Sequence, residues 1–333
     1  MSAKKMRQFN ILFTSAGRRV SLIYNFKKAM QELGLDGNIV TTDLKKNAPV
    51  AFIAEVHELV PHVKDLNYIT VLKDICKKHA IDLVVPLIDS ELDLLSLHKQ
   101  DFAAIGVTLL VSSHETNQIS FDKRNTYSFF KKVGVQTPKI LNTPEILAAP
   151  QAQYPLLIKP ATGSCSVGVT KIDNAKELAF FQNYVPNAIV QEFVSGEEYT
   201  LDILVDFQGC VRCVVPRLRI ETRAGEISKG VTVKNPALIA AGKQVVEQLP
   251  GAIGCITVQC FLTPNNEIQF IEINPRFGGG FPLSFQAGAN FPRWIIEMIL
   301  GKEPHITLDG WQEGIVMLRY DDAIFVNQEA IVC

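Results

Sequence analysis

The stretch Phe270-Ile271-Glu272-Ile273-Asn274-Pro275-Arg276-Phe277-Gly278-Gly279-Gly280-Phe281-Pro282-Leu283-Ser284 decides how this chain is read. Its first residues form a strand pattern. Side chains alternate faces along a strand, so Glu272 and Asn274 share a face, flanked by Ile271 and Ile273. An apolar strand that sets a carboxylate beside a carboxamide needs a partner for them, because an unpaired buried charge is costly. A hard cation such as Mg2+ meets that need, since it takes oxygen ligands and shares them with phosphates. Arg276 follows on the same parity, and a glycine run comes next.

The strand before it, Ile253–Leu262, returns through Thr263-Pro264-Asn265-Asn266-Glu267. Asn tolerates positive φ, so Asn265-Asn266 is read as a two-residue hairpin loop. That register sets Gln259 directly opposite Glu272. Three oxygen-bearing side chains, Gln259, Glu272 and Asn274, then meet on one patch. The alternative is a polar solvent face, against which stand the apolar neighbours Ile256, Val258, Phe270, Ile271 and Ile273.

Three upstream segments carry further chemistry. Leu156-Leu157-Ile158-Lys159-Pro160-Ala161-Thr162-Gly163-Ser164-Cys165-Ser166-Val167-Gly168 has glycines at P-loop spacing, but Val169-Thr170 stands where Lys-Ser/Thr would follow. It runs strand to strand. Such a loop either wraps phosphates with backbone N–H groups, with Lys159 aimed at them, or is an ordinary flexible hairpin. Gln191-Glu192-Phe193-Val194-Ser195-Gly196-Glu197-Glu198 offers backbone groups to a base edge and a carboxylate to ribose hydroxyls, although acidic turns are common. Arg217 and Arg219 share a face at strand spacing, with Arg223 and Lys229 beyond. They suit phosphate or carboxylate, or equally guard a solvated edge strand.

The rest of the chain frames these motifs. Its 333 residues suggest two or three domains, 47% hydrophobic content supplies large cores, and a net charge of −1 gives no basic field for nucleic acid or an anionic membrane. No apolar run approaches the ~20 residues of a spanning helix, so a cytoplasmic protein is expected. Seven cysteines are scattered; Cys210 and Cys213 have no second pair nearby to make a zinc site. Residues 1–115 alternate strands (9–15, 39–42, 81–86, 107–111) with helical patterns, which predicts an open α/β domain with a parallel sheet. Ligands bind beyond the carboxyl ends of such strands, here Ser15–Arg19, Asp43 and Pro86–Glu91. No G-x-G-x-x-G occurs at the first turn. Ser15, Gly17 and Arg18, at a helix N-terminus, are candidates for an anionic group, or simply a tight turn. After residue 115 a helix at Asp122–Lys132 leads into adjoining strands, an α+β pattern that is mostly antiparallel.

Taken in order, these motifs resemble the ATP-grasp superfamily, with the strongest likeness to the ATP-binding halves of the carbamoyl phosphate synthetase large subunit. The resemblance covers nearly the whole chain. It implies a Rossmann-like pre-ATP-grasp domain (1–115) followed by a two-subdomain ATP-grasp fold: a small central subdomain (116–190) and a C-terminal subdomain (191–333), with ATP between the last two. By that likeness Lys123 and Lys159 contact phosphates, and Thr162, Gly163, Ser164, Ser166 and Gly168 belong to the phosphate lid. Gln191, Glu192, Phe193 and Val194 form the adenine-reading hinge, and Glu198 binds ribose. Gln259, Glu272 and Asn274 hold Mg2+, with Mn2+ as a substitute. Arg276, Lys159 and Lys229 serve catalysis. Arg217, Arg219, Gly279 and Gly280 are the substrate-side candidates beside Ser15, Gly17 and Arg18. The implied activity is an ADP-forming ligase that joins a small carboxylate to an amine or other nucleophile through an acyl phosphate. Gln259 departs from the acid found in many ATP-grasp enzymes. The chain has room for one ATP site only, so synthesis of carbamoyl phosphate would need a second ATP-grasp chain. The alternatives are therefore one component of a split carbamoyl phosphate synthetase, and a nucleotide-binding regulator without chemistry. A homodimer or a second ATP-grasp chain is the expected macromolecular partner.

Overall fold

A computed structural model describes residues 7–149, 153–164 and 166–331. Cys165, in the phosphate-lid segment, lies outside the described residues. The first sheet is parallel, built from β1 (Ile11–Thr14), β2 (Ile39–Asp43), β3 (Val56–Leu59), β4 (Leu83–Pro86) and β5 (Thr108–Leu109) in the order β3-β2-β1-β4-β5. Helices α1 (Val20–Glu32), α2 (Tyr68–Lys78) and α3 (Asp89–Leu97) connect them. The strand order reverses at β1, and a reversal opens a crevice at the carboxyl ends of the flanking strands. The two loops at that crevice are Ser15–Arg19, after β1, and Leu87–Ile88, after β4.

Helices α4 (His114–Phe121) and α5 (Lys123–Lys132) lead out of this layer. The Asp122 side chain caps α5 by accepting from the Arg124 N–H. A four-stranded antiparallel sheet follows, from β6 (Ile140–Leu141), β7 (Leu156–Pro160), β8 (Thr170–Ile172) and β9 (Ala188–Glu192), in the order β8-β7-β9-β6. Helix α6 (Ala175–Tyr184) packs on it. The last sheet has six antiparallel strands: β10 (Glu197–Val205), β11 (Val211–Arg223), β12 (Glu226–Thr232), β13 (Gly254–Leu262), β14 (Ile268–Asn274) and β15 (Val316–Leu318), ordered β14-β13-β10-β11-β12-β15. Helix α7 (Pro236–Glu247) covers one face, and α8 (Phe281–Gln286) and α9 (Phe291–Ile299) follow β14. Sequence patterning did not anticipate β3, α4, β6, β12, α8, α9 or β15; each is short or lies against a glycine or proline.

The cores divide unevenly. One large cluster runs from the β1/α1 face of the parallel sheet into the six-stranded sheet. A file of aromatic rings marks the joint: Phe13–Phe26 centroids lie 4.9 Å apart, Phe26–Phe277 5.6 Å, Phe277–Phe281 4.7 Å and Phe281–Phe291 5.2 Å. The four-stranded sheet has its own small cluster of Leu156, Ile158, Ile172, Leu178 and Val190. Packing therefore joins the first and last layers and leaves the central sheet as a separate lobe.

Candidate active site

A cleft of about 290 Å3 opens between the four-stranded and six-stranded sheets. The β13–β14 hairpin forms its floor, and its register is not produced as the turn chemistry predicts. Thr263 N–H bonds the Glu267 carbonyl at 2.9 Å, and Asn266 takes φ +61°. The connection is a three-residue loop, Pro264-Asn265-Asn266, which by itself would set Gln259 against Ile271. A bulge between Phe270 and Glu272 absorbs one residue, so Gln259 pairs with Glu272 and Thr257 with Asn274. Gln259, Glu272 and Asn274 all line the cleft. With the Gln259 amide oriented by its neighbours, Nε2 donates to Glu272 Oε2 at 3.1 Å and Oε1 accepts from Arg219 Nη1 at 3.2 Å.

Cations surround this patch. Lys123 Nζ lies 4.0 Å from Glu272 Oε1 and donates to the Gly163 carbonyl at 2.8 Å, while its backbone N–H bonds the Ala161 carbonyl at 2.8 Å. The start of α5 is thus tied to the glycine loop at two points. Lys159, at the end of β7, is 6% exposed, and its pKa is lowered to about 8. Burial is the main cause, Glu272 opposes it and Lys123 adds to it. In the loop, Gly163, Ser166 and Gly168 adopt φ of +109°, +55° and +74°. A Cβ on Gly168 would stand 3.1 Å from the Pro160 ring, so the loop closes tightly on the strand that carries Lys159. Thr162, Gly163, Ser164 and Ser166 line the cleft.

At the other end of the floor, Arg276 Nη2 donates to Asn274 Oδ1 at 3.2 Å and to Asp89 Oδ2 at 2.9 Å. Burial pulls the Arg276 pKa down, but the Asp89 carboxylate outweighs it and the net shift is upward. Asp89 is the first residue of α3, at the crevice of the parallel sheet, so the N-terminal domain reaches the floor through this pair. The Arg276 carbonyl is fixed in turn by Thr257 Oγ1 at 3.0 Å. Asp89 and Thr257 were not among the sequence candidates, although Asp89 falls in the Pro86–Glu91 segment.

The hinge residues are placed at the edge. Gln191 is buried and donates through Nε2 to the Pro138 carbonyl at 3.4 Å. Glu192 Oε2 accepts from Lys139 N–H at 3.0 Å, and Phe193 lies under the Lys171 ammonium at 5.5 Å. Gln191, Glu192, Phe193 and Val194 join the two sheets but do not line the cleft; its apolar wall is Leu157, Phe261 and Ile271. Glu198 does line it, paired to Arg219 Nη1 at 3.0 Å. Burial raises its pKa despite that arginine, and Glu272 pushes the same way.

Several candidates take other roles. Lys229 is exposed, bonds Glu221 Oε2 at 2.6 Å and lies outside the cleft. Ser15 Oγ donates to Glu91 Oε2 at 3.0 Å, and Gly17 N–H to Asp43 Oδ2 at 3.1 Å. Neither lines the cleft, and Arg18 is an exposed ion-pair partner of Glu226 at 3.3 Å. Glu91 is fully buried and gathers the hydroxyls of Thr14, Ser15 and Tyr68 at 2.9, 3.0 and 2.7 Å. It holds the Ser15 hydroxyl, with Ser15 at φ +48°, and beyond this turn Arg19, not Arg18, lines the cleft. Arg217 is buried and bonds Asp202 twice, at 2.7 and 2.9 Å, with Ser284 Oγ donating to the same carboxylate at 2.6 Å. Gly279 and Gly280 lie in the cleft wall beside Arg19 and Arg217.

The donor set fits a hard cation. Among the described residues no group of three His, Cys, Asp or Glu comes together; the patch offers the Glu272 carboxylate and the Asn274 amide oxygen, while Gln259 turns its Oε1 to Arg219 and becomes a third oxygen donor only on rotating its amide. A buried ammonium with a depressed pKa next to it fits phosphate oxygens.

Comparison with known proteins agrees with this geometry. Residues 11–110 match a family model described as "PylC-like, N-terminal domain", and residues 120–280 match one described as "ATP-grasp domain". The chain is similar to the vancomycin/teicoplanin A-type resistance protein VanA of Enterococcus faecium, 25% identical over 217 residues, covering 58% of this chain and 62% of that protein. It is also similar to the 3-methyl-D-ornithine–L-lysine ligase of Methanosarcina barkeri, 26% identical over 225 residues, covering 66% of this chain and 55% of that protein. The match thus spans less than two thirds of either relative. Among solved structures, the biotin carboxylase domain of Hydrogenobacter thermophilus 2-oxoglutarate carboxylase superposes with a TM-score of 0.72 at 16% identity, over 90% of this chain and 71% of that one. The fold, the cleft and both family models converge: the chain carries an ATP-grasp domain over residues 120–280, behind a PylC-like N-terminal domain over residues 11–110.

Proposed function

We propose that the chain is an ADP-forming, Mg-ATP-dependent ligase that joins a small carboxylate to an amine. The observation that carries this reading is the convergence of Lys123, Lys159, Glu272, Asn274 and Arg276 on one cleft between two sheets. The names of the relatives, ligases among them, support it. Carbamoyl phosphate synthetase is then a likeness of the ATP-grasp core and not a guide to the substrate.

Glu272, Asn274 and Gln259 would hold Mg2+, which would neutralise phosphate charge; Mn2+ would substitute, since it accepts the same oxygen donors. Lys159 and Lys123 bind phosphate oxygens from the loop side. Leu157, Phe261 and Ile271 give the base an apolar wall, and Glu198 is placed for the ribose. In the first step a carboxylate oxygen bonds the γ-phosphorus as the bond to ADP breaks. Phosphoryl transfer needs positioning and charge neutralisation more than an acid–base pair. Arg276 is placed to stabilise charge on the transferred group. In the second step the amine forms the C–N bond, phosphate leaves with the C–O electron pair, and the amine's surplus proton passes to phosphate or water. The proposed units are residues 1–115, 116–190 and 191–333, with the central lobe closing on the nucleotide.

The test is a screen of amino acids and small carboxylates paired with amines, read as ADP release from Mg-ATP. AMP and pyrophosphate as products would overturn the mechanism. Nucleotide binding with no ADP release under any pairing would favour a regulator.

A further inference from the structure

Beyond Arg276 the cleft continues over Gly279 and Gly280, and its charge there does not balance. Glu226, at the tip of the β11–β12 hairpin, is the one carboxylate shared by three guanidinium groups: Arg18 at 3.3 Å, Arg319 at 3.2 Å and Arg19 at 4.0 Å. The Arg19 contact is the longest, although Arg19 is the arginine that lines the cleft. Its pKa is lowered, by burial first and by Arg276 second, with Glu226 opposing. Across the glycines, Arg217 Nη1 is buried and without a hydrogen-bond partner, while its other nitrogens hold Asp202.

The glycines are what bring these groups together. A Cβ on Gly279 would stand 2.6 Å from Arg19 Nη1 and 3.1 Å from Glu226 Oε1; one on Gly280 would stand 2.4 Å from Arg217 Nη1. Arg19 from the N-terminal domain and Arg217 from the six-stranded sheet therefore both come against the same two-residue floor. The Glu226 carboxylate lies over that floor. It sits on a hairpin tip whose turn, Ala224-Gly225, is left-handed at both residues.

We propose that Arg19 and Arg217 form an anion seat over Gly279-Gly280 for a substrate carboxylate other than the one that is phosphorylated, and that Glu226 occupies the Arg19 side of this seat until the substrate displaces it. The inference rests on the ligase reading and narrows its substrates: one of the joined molecules carries a second carboxylate that never reacts. Seating it against paired guanidinium donors gives charge-assisted hydrogen bonds in a partly dry site. It also keeps that group away from Arg276 and the phosphates. Arg19 and Glu226 are then specificity-determining residues with opposite effects.

The experiment is calorimetric titration with succinate of the nucleotide-free and the Mg-ADP-loaded full chain. Glu226→Gln, with the internal occupant neutralised, is expected to bind succinate about tenfold tighter than wild type, and Arg19→Ala at least about tenfold weaker, with Arg19→Lys between them. Thermal melting of each variant serves as the folding control. A structural role alone would move both variants the same way, and that result overturns the proposal. So does the absence of succinate binding in both wild type and Glu226→Gln. Failure of Mg-ADP to bind would instead count against the ligase reading, and the nucleotide-free titration would still decide the seat.

Discussion

Arg276 and Asp89 meet at 2.9 Å across the joint between the N-terminal domain and the six-stranded sheet. Arg276 Nε has no partner, so Asp89 and Asn274, with the Phe277 carbonyl accepting from Nη1 at 3.4 Å, fix the side chain's aim into the cleft. An asparagine at position 89 would keep the size of the contact and remove its charge. A misplacement of about 1 Å at a reacting centre can lower a rate about 100-fold. Asp89→Asn is therefore expected to lower kcat by about that factor and to leave the Kd for Mg-ADP near wild type. Steady-state kinetics beside nucleotide titration checks this; equal losses in both would show that Asp89 supports the fold and not Arg276.

Lys159 gives a pH dependence with a definite sign. Its free-protein pKa is about 8, with burial the first cause and Glu272 and Lys123 the charged groups facing it. Nucleotide phosphates favour the charged form, so the bound pKa is higher. Below about pH 8 both states are protonated and Mg-ADP affinity is flat; above it, affinity falls as the free protein gives up the proton. Calorimetry between pH 6.5 and 9.5, with buffer-corrected proton uptake, measures it, the range being chosen to straddle that value. Lys159→Met should remove the dependence.

The same lysine makes a stability prediction. Its folded pKa is depressed, so the folded chain binds fewer protons than the unfolded one between the folded value and about 10.4. Stability of the unliganded protein thus rises with pH across that window, and below it the burial penalty is present in full. Lys159→Met removes the penalty. It is expected to stabilise the free protein by about 1–3 kcal/mol at pH 7 while abolishing ADP release. A lower melting temperature for this variant would contradict it.

Glu272 and Gln259 can be separated. Glu272→Ala removes the one carboxylate of the oxygen patch and should abolish turnover with the melting temperature nearly unchanged. Gln259→Glu adds a second carboxylate opposite the first. Like charges facing across a ladder destabilise by roughly 0.2–1 kcal/mol, and a divalent ion would offset this. The expected signature is a lower melting temperature without Mg2+, a higher one with it, and a smaller Mg2+ concentration at half-maximal activity. A Gln259→Glu variant indifferent to Mg2+ would refute the assignment.

Arg217 and Asp202 are both buried, with side-chain exposures of 1% and 0%. Removing one partner of such a pair leaves an uncompensated charge and costs about 3–5 kcal/mol. Asp202→Ala is expected to lose stability on that scale in chemical denaturation, and Asp202→Asn less, because the amide still accepts from Ser284 or Arg217.

Much of this was legible in the chain. Alternating strand and helix patterns gave the parallel sheet, and the polar pair on an apolar strand gave the floor of the cleft. The hairpin is the instructive case. The pairing of Gln259 with Glu272 was read from a two-residue loop that does not exist; a three-residue loop and a bulge at Ile271 produce the same pairing. Bulges leave little local signal, because they answer to packing on both faces of the sheet. Glu226 was missed, and Asp89 and Arg19 were seen only as parts of the Pro86–Glu91 and Ser15–Arg19 segments, for a related reason. Each acts through a contact across a domain joint, and no spacing within a segment encodes such a contact. Lys229 differs: it was grouped with the nearby arginines and given a catalytic role by the resemblance, but the register of β11 and β12 shifts twice near Glu221, and it pairs there, outside the cleft.

The file of rings from Phe13 through Phe26, Phe277 and Phe281 to Phe291 bears on how the chain is made. The α/β layer is synthesised before the six-stranded sheet and has the topology of a self-sufficient domain. Yet the inner face of α1 is closed by Phe277 and the helices after it, which are synthesised well after α1 itself. Contacts so distant in sequence form slowly, and apolar surface left waiting for them is prone to association. The nascent N-terminal layer therefore presents an open aromatic face until the Phe277 segment has been made, and a chain cut short before Phe277 keeps that face uncovered.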